Sequence, residues 1–348
     1  MVRPRERQPR HGVRLRPQTA WIVATWLVAT TSLASVATAA PPVQADIDPG
    51  WWHTGFLVDY GLIGLGALGY FARNREPTTS ALFGPVYDPK NPAAILDPKF
   101  SDRIGRTHLE EGDGETVSTG QATMLVAAGG VYLLVEQGIG LLGNRQGRQL
   151  MFHETVVGYL ETVALSTGTN ALIKNFVGRL RPDFQDRVRR WHCAKGDLDA
   201  SLCPAGIQPL SADADENEKI WFDGRRSFMS GHSVSAMNFT GYLSLSIGGQ
   251  YVWGEDATAT SRSVGLAAQA LLLTTGMFVA GSRFDDGRHH FGDVMTGSVF
   301  GLAIANFSYW RRFDTNGRPR APKAAGETTV SLEPGPGTAG LAVLVRYK

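Results

Sequence analysis

The sequence predicts an all-α fold: a helical bundle of about six core helices, with a polar insertion between core helices 3 and 4 and a short C-terminal β-hairpin. Three observations carry this expectation. Six apolar stretches, at 56–71, 122–142, 156–177, 234–252, 264–280 and 294–310, each approach the length of a bilayer-crossing helix. Polar tracts separate them, so a mean hydropathy of −0.12 hides strong segregation. Many of the 41 glycines fall inside the apolar stretches, where membrane helices tolerate them better than soluble ones do.

Residues 1–16 carry six arginines and a single acid, Glu6, and an apolar run with a small-residue exit follows at 19–40. A basic region, an apolar region and small residues at the exit describe a secretory signal. Residues 1–45 are therefore read as a signal peptide or an N-terminal anchor. The arginines belong to that signal. With a net charge of only +2, no nucleic-acid partner is expected.

Trp51 and Trp52 precede the first stretch, as aromatic residues do at a membrane interface. Glu136, Glu161, Asn170, Asn238 and Gln269 lie inside the stretches, so most are marginal as membrane spans. They equally fit the buried helices of a large soluble bundle. The 264–280 stretch, with one glutamine and no charge, is the strongest membrane candidate. The tract at 72–120 holds five prolines and reads as a long connection with short helices at most.

The insertion at 183–226 holds both cysteines, Cys193 and Cys203, and an acidic run at 213–216 that reads as a solvated surface. An even count in an exported chain points to a disulfide; two buried thiols are the other reading. With only His192 nearby, the pair makes a poor zinc site, and no metal is expected. In the tail at 313–348, two β-prone runs flank Pro-Gly-Pro-Gly, the pattern of a hairpin.

Three clusters at stretch ends carry the chemistry. Lys174 and Arg181 are seven residues apart, which on a continuous helix puts both on one face before Pro182 stops it. Alone, such cations are explained by the helix dipole. Ser230-Gly231-His232 opens the fourth stretch, where backbone amides at a helix N-terminus can hold an anion. A histidine there is ordinarily a cap or surface residue. The third cluster contains Arg283, His289 and Asp293. With Asp293 in the first turn of a helix, it can meet His289 and orient the ring. By itself this is equally a polar loop with a cap. Taken together, three cations, a helix N-terminus and two imidazoles equip a site for phosphoryl transfer without a metal ion. One histidine attacks phosphorus and the other protonates the leaving oxygen.

The ordered pattern Lys174…Arg181-Pro182, Ser230-Gly231-His232 and Ser282-Arg283…His289…Asp293 resembles the type 2 phosphatidic acid phosphatase (PAP2) superfamily, over roughly 154–306. The wording of the motifs is similar to its lipid phosphate phosphatase branch, and a cysteine-containing loop fits that branch too. Met229 departs from it, standing where much of the superfamily has proline.

The resemblance implies a PAP2-type bundle at 46–312 with its catalytic core at 154–306. It implies His289 as the nucleophile that forms a phosphohistidine, Asp293 as its orienting partner and His232 as the general acid. Lys174, Arg181, Arg283, Ser230 and the Gly231 amide are implied to hold the phosphoryl oxygens. Arg179, Arg288 and His290 read as structural or rim residues, and Asp285 and Asp286 are expected to face solvent, since either would repel a phosphate.

The implied activity is metal-independent hydrolysis of a phosphorylated lipid or small phosphomonoester, with no cofactor and with membrane association. A vanadium-dependent haloperoxidase, which holds a phosphate-shaped oxyanion with similar residues, and a non-catalytic membrane protein are the alternatives. The export signal implies an inner-membrane protein with an extracytoplasmic site, or a periplasmic one.

Overall fold

The computed structural model describes residues 55–72, 87–88, 90–96, 116–142, 148–203, 206–207, 209, 214–255, 257–320, 329–334 and 341–346. The signal or anchor expected at 1–45 lies outside them. Eight α-helices occur among the described residues: α1 (Gly55–Phe71), α2 (Thr119–Leu142), α3 (Arg148–Val177), α4 (Phe184–Lys195), α5 (Ala214–Asp223), α6 (Gly231–Ile247), α7 (Ala259–Asp285) and α8 (Phe291–Arg312). Six of them, α1–α3 and α6–α8, correspond to the six apolar stretches. The helices α4 and α5 form the insertion. The tail contains the expected antiparallel strand pair, Thr329–Pro334 with Leu341–Arg346, in register from Thr329 opposite Arg346.

The core helix is α6. It packs against α2, α3, α7 and α8 and is buried along most of its length. Its Ser230 cap accepts from the Ser233 amide at 3.4 Å, so the helix begins one residue before His232. The α6–α8 crossing is backbone-tight: a Cβ at Gly301 would lie 2.3 Å from the Val234 carbonyl oxygen. That contact sets the start of α8 beside the start of α6.

The helix α3 ends earlier than the sequence suggests. Gly178 adopts φ 56° and stops it at Val177, four residues before Arg181. Lys174 and Arg181 therefore do not share one helical face. Arg181 reaches the site from the following turn, where its amide donates to the Gly224 carbonyl at 2.9 Å. The Ser227 amide likewise donates to Arg179 O at 2.9 Å, so the two ends of the insertion are pinned together.

Between those ends, α4 and α5 share a core with the 87–96 segment, made of Tyr87, Leu96, Phe184, Val188, Leu198 and Trp221. A Cys193–Cys203 disulfide closes one edge. The buried Tyr87 hydroxyl bonds His192 Nε2 at 2.7 Å, and His192 Nδ1 bonds Asp197 at 3.0 Å.

The outside of the bundle is apolar. Leu68, Val131, Leu266, Met277, Val299 and Phe307 are all more than half exposed. Among the described residues, two helices are long and apolar enough to cross a membrane, α2 over Thr119–Ile139 and α7 over Ala259–Asp285, and only 22% and 39% of their most apolar windows are buried.

Candidate active site

The site forms where α3 and α7 end and α6 and α8 begin. Glycine at 231 keeps the first turn of α6 open to its neighbours: a Cβ there would lie 3.6 Å from Lys174 Nζ and 3.2 Å from Asn170 Nδ2. Ser230 is fully buried, donates its amide to the Asp293 carbonyl at 3.2 Å and accepts from the Ser233 hydroxyl at 2.8 Å. Amides of the α6 N-terminus and the Lys174 ammonium thus converge.

The loop after α7 is folded back on itself. The amides of Arg288 and His289 both donate to the Arg283 carbonyl at 3.2 Å, and Gly287 takes the left-handed φ of 64° that this turn requires. The fold buries His289 to 2% exposure. Its Nδ1 lies 2.8 Å from the Ser227 carbonyl oxygen, which can only accept, so Nδ1 carries the hydrogen. That leaves Nε2 with a lone pair, the form a nucleophile needs.

Asp293 sits in the first turn of α8, as expected, but it does not bond His289 directly. The Nδ1–Oδ2 separation is 4.0 Å. Ser227 stands between them: its hydroxyl donates to Asp293 Oδ2 at 2.5 Å, while its carbonyl takes the imidazole proton. Asp293 is fully buried and is charge-paired by Arg179 Nη1 at 2.6 Å. It also accepts from the His290 amide at 3.2 Å. Asp293 therefore orients the loop and Ser227, and Ser227 orients the ring.

The Arg283 side chain is buried at 3% exposure and donates to the Val117 carbonyl at 3.0 Å. Asp286, expected in solvent, is buried instead. It accepts from the Thr116 hydroxyl at 2.8 Å and lies 3.5 Å from Arg283 Nη1. It avoids repelling an anion by facing the arginine and the Thr116 segment; Asp285 is exposed as expected. Arg181 is held by Asp223 of α5, with a closest contact of 2.8 Å.

His232 is the other imidazole. Its Nε2 is buried and has no hydrogen-bond partner among the described residues. Burial first, and then Arg283, Lys174 and Arg181, lower its pKa to about 3. Burial and the same three cations hold His289 well below the usual imidazole range. Both rings are therefore neutral at pH 7. The arrangement offers an oxyanion converging cations, helix amides, one imidazole lone pair and one imidazole able to take up a proton.

Ser227, Arg179, Asp223 and Asp286 were not singled out as site residues from the sequence. Ser227 and Arg179 lie within three residues of the motifs, and proximity is the one signal that marks them. Nothing in the sequence ties Asp223 to Arg181 across 42 positions.

Residues 155–316 match the family model described as the PAP2 superfamily. It is 32% identical over 175 residues to diacylglycerol pyrophosphate phosphatase 1 of Saccharomyces cerevisiae, covering 50% of this chain and 56% of that one. It is 30% identical over 161 residues to lipid phosphate phosphatase 2 of Arabidopsis thaliana, covering 46% and 51%. It is 27% identical over 184 residues to phospholipid phosphatase 2 of Homo sapiens, covering 52% and 59%. The chain thus spans little more than half the length of these relatives. No solved structure matches.

Proposed function

We propose that this chain belongs to the PAP2 superfamily and is a metal-independent phosphatase acting on a phosphorylated lipid through a phosphohistidine intermediate. The observation that carries the reading is His289. It is buried and neutral, its Nδ1–H is bonded to the Ser227 carbonyl, and its Nε2 is left with the lone pair. That ring stands within the field of Lys174, Arg181 and Arg283.

The cations and the α6 amides hold the nonbridging oxygens and favour the charge of the transition state. His289 Nε2 forms a bond to phosphorus as the ester P–O bond breaks. His232 gives a proton to the leaving alkoxide. A bound phosphate dianion opposes the three cations, which raises the basicity of His232 and lets it take up that proton with the substrate. In the second half, His232 accepts a proton from water, the water oxygen bonds to phosphorus, and the N–P bond breaks to release phosphate.

The apolar exterior supports a lipid substrate and a membrane setting. Phe284 and Phe291, 54% and 61% exposed, immediately follow Arg283 and His290 and pack edge-to-face at 5.8 Å. Apolar surface therefore runs up to the catalytic loop, where acyl or isoprenyl chains would lie beside the head group. The disulfide sits in the insertion that joins the first two motifs, which supports an oxidising, extracytoplasmic face for the site. The names of the relatives agree with the lipid class.

The test is phosphate release by purified protein from phosphatidic acid and from p-nitrophenyl phosphate, with a chelator present. Hydrolysis of both, with a lower KM for the lipid, is expected. Activity lost to the chelator, or bromide oxidation with vanadate in place of hydrolysis, would overturn the reading.

A further inference from the structure

The insertion reaches the cradle through one carboxylate. Asp223 is the last residue of α5. Its Oδ1 accepts from Arg181 Nη2 at 3.0 Å, its Oδ2 lies 2.8 Å from the same nitrogen, and its backbone carbonyl accepts from Arg181 Nε at 3.0 Å. On the other side, Arg181 Nη1 donates to the Arg288 carbonyl at 3.1 Å. The plane of the guanidinium is thus set jointly by α5 and by the catalytic loop. Among the described residues, Asp223 is the carboxylate paired with Arg181.

The position of α5 is itself fixed. Trp221, two residues before Asp223, packs in the insertion core, stacked on Phe184 and edge-on to Tyr87. Arg187 of α4 donates to the Ile220 carbonyl of α5 and pairs with Asp183 at 2.7 Å. The disulfide-closed insertion is therefore a rigid platform with Asp223 at its edge.

We propose that Asp223 is a positioning residue for Arg181, and that it sets the orientation in which this guanidinium meets the phosphoryl oxygens. The proposal rests on the phosphatase reading of the cradle. A free arginine must be ordered at the moment of binding, and a guanidinium clamped in the folded protein has already met that cost. An aspartate that merely held α5 in place would act on stability, and would do so equally with or without Arg181.

A double-mutant cycle separates the two roles. Asp223→Ala, Asp223→Asn, Arg181→Ala and the corresponding double variants are assayed for kcat and KM on p-nitrophenyl phosphate. Orthovanadate affinity is read in parallel by protection against thermal inactivation. Asp223→Ala is expected to lose about 10- to 100-fold in kcat/KM, the size of a lost charge-assisted hydrogen bond. Asp223→Asn, which keeps an acceptor oxygen, should recover part of that loss. In the Arg181→Ala background, removing Asp223 should cost nothing further in turnover or in orthovanadate affinity.

Additive losses, or a wild-type kcat/KM in Asp223→Ala, would overturn the clamp. Where Asp223→Ala does not fold, the Asn variant carries the same cycle. If the wild type binds orthovanadate yet cleaves no ester, the phosphatase reading fails, and the orthovanadate cycle alone decides the clamp.

Discussion

The two ends of the bundle both bury charge, and they do so in opposite ways. At the end remote from the site, Arg312 pairs with Glu154 at 2.7 Å, Glu161 at 2.6 Å and Asp59 at 3.1 Å. Arg311 pairs with Asp59 at 2.6 Å, and Ser308 donates to Glu161 at 3.2 Å. This network ties α1, α3 and α8 together, and its two guanidiniums face three carboxylates.

At the site end, Lys174, Arg179, Arg181 and Arg283 face Asp223, Asp286 and Asp293, so the cations are in excess. His232 Nε2 has no hydrogen-bond partner among the described residues. A charge cluster whose members pair with one another holds helices together. A cluster with spare positive charge and an open imidazole is arranged for a ligand that supplies the missing acceptors.

Removing a group at the open end should destroy turnover and spare the fold. His289→Ala is expected to lose at least about 1000-fold in phosphate release while keeping the wild-type circular dichroism spectrum. Retained turnover in that variant would end the phosphohistidine mechanism.

The closed end should behave in reverse. Arg312→Met removes a buried partner from Glu154, Glu161 and Asp59 at once and is expected to cost about 3 to 5 kcal/mol of stability. The denaturation midpoint reads this cost, and kcat per folded molecule should not change. A fall in kcat without loss of stability would show that the two ends are coupled.

The insertion lies between these extremes. Serine at both Cys193 and Cys203 opens a short loop and should cost about 3 kcal/mol on the chain-entropy account. Protease cuts should concentrate in α4 and α5, and activity should fall as Asp223 loses its platform. Unchanged activity after complete reduction would separate the platform from the cradle.

The smallest effect expected is in pH dependence. Both site imidazoles are less basic folded than unfolded, His232 at about 3 and His289 well below its ordinary range. Below about pH 6.5 the unfolded chain therefore binds more protons. The contribution of these rings to stability is complete above that pH and is lost as the pH falls toward the folded values. In kcat/KM, the acid limb belonging to His289 should accordingly lie well below pH 6.5. A limb at or above that pH would place the ring in a more solvated setting than the structure shows.

The helices were legible because burial imposes a pattern that composition and spacing display directly. The three motifs were legible for a related reason: each lies at the end of an apolar stretch, and helix ends are where amides and charged side chains can converge. Where reading along the chain misplaced a residue, a non-local contact was responsible. Spacing put Lys174 and Arg181 on one helical face, but Gly178 turns left-handed and ends the helix first. Electrostatics put Asp286 in solvent, but Thr116, 170 residues away, accepts the burden of satisfying it. A spacing of four put Asp293 against His289, but Ser227, 62 residues from His289, occupies the intervening position.

The sequence by itself determined the bundle, the insertion and the residues that make up the three motifs, because helix periodicity and short motifs are local properties of the chain. The tertiary structure decided which oxygen takes the His289 proton, which carboxylate holds each arginine and which charges are left over. Those choices rest on hydrogen bonds a few ångströms long between residues dozens of positions apart, and no pattern along the chain encodes such distances.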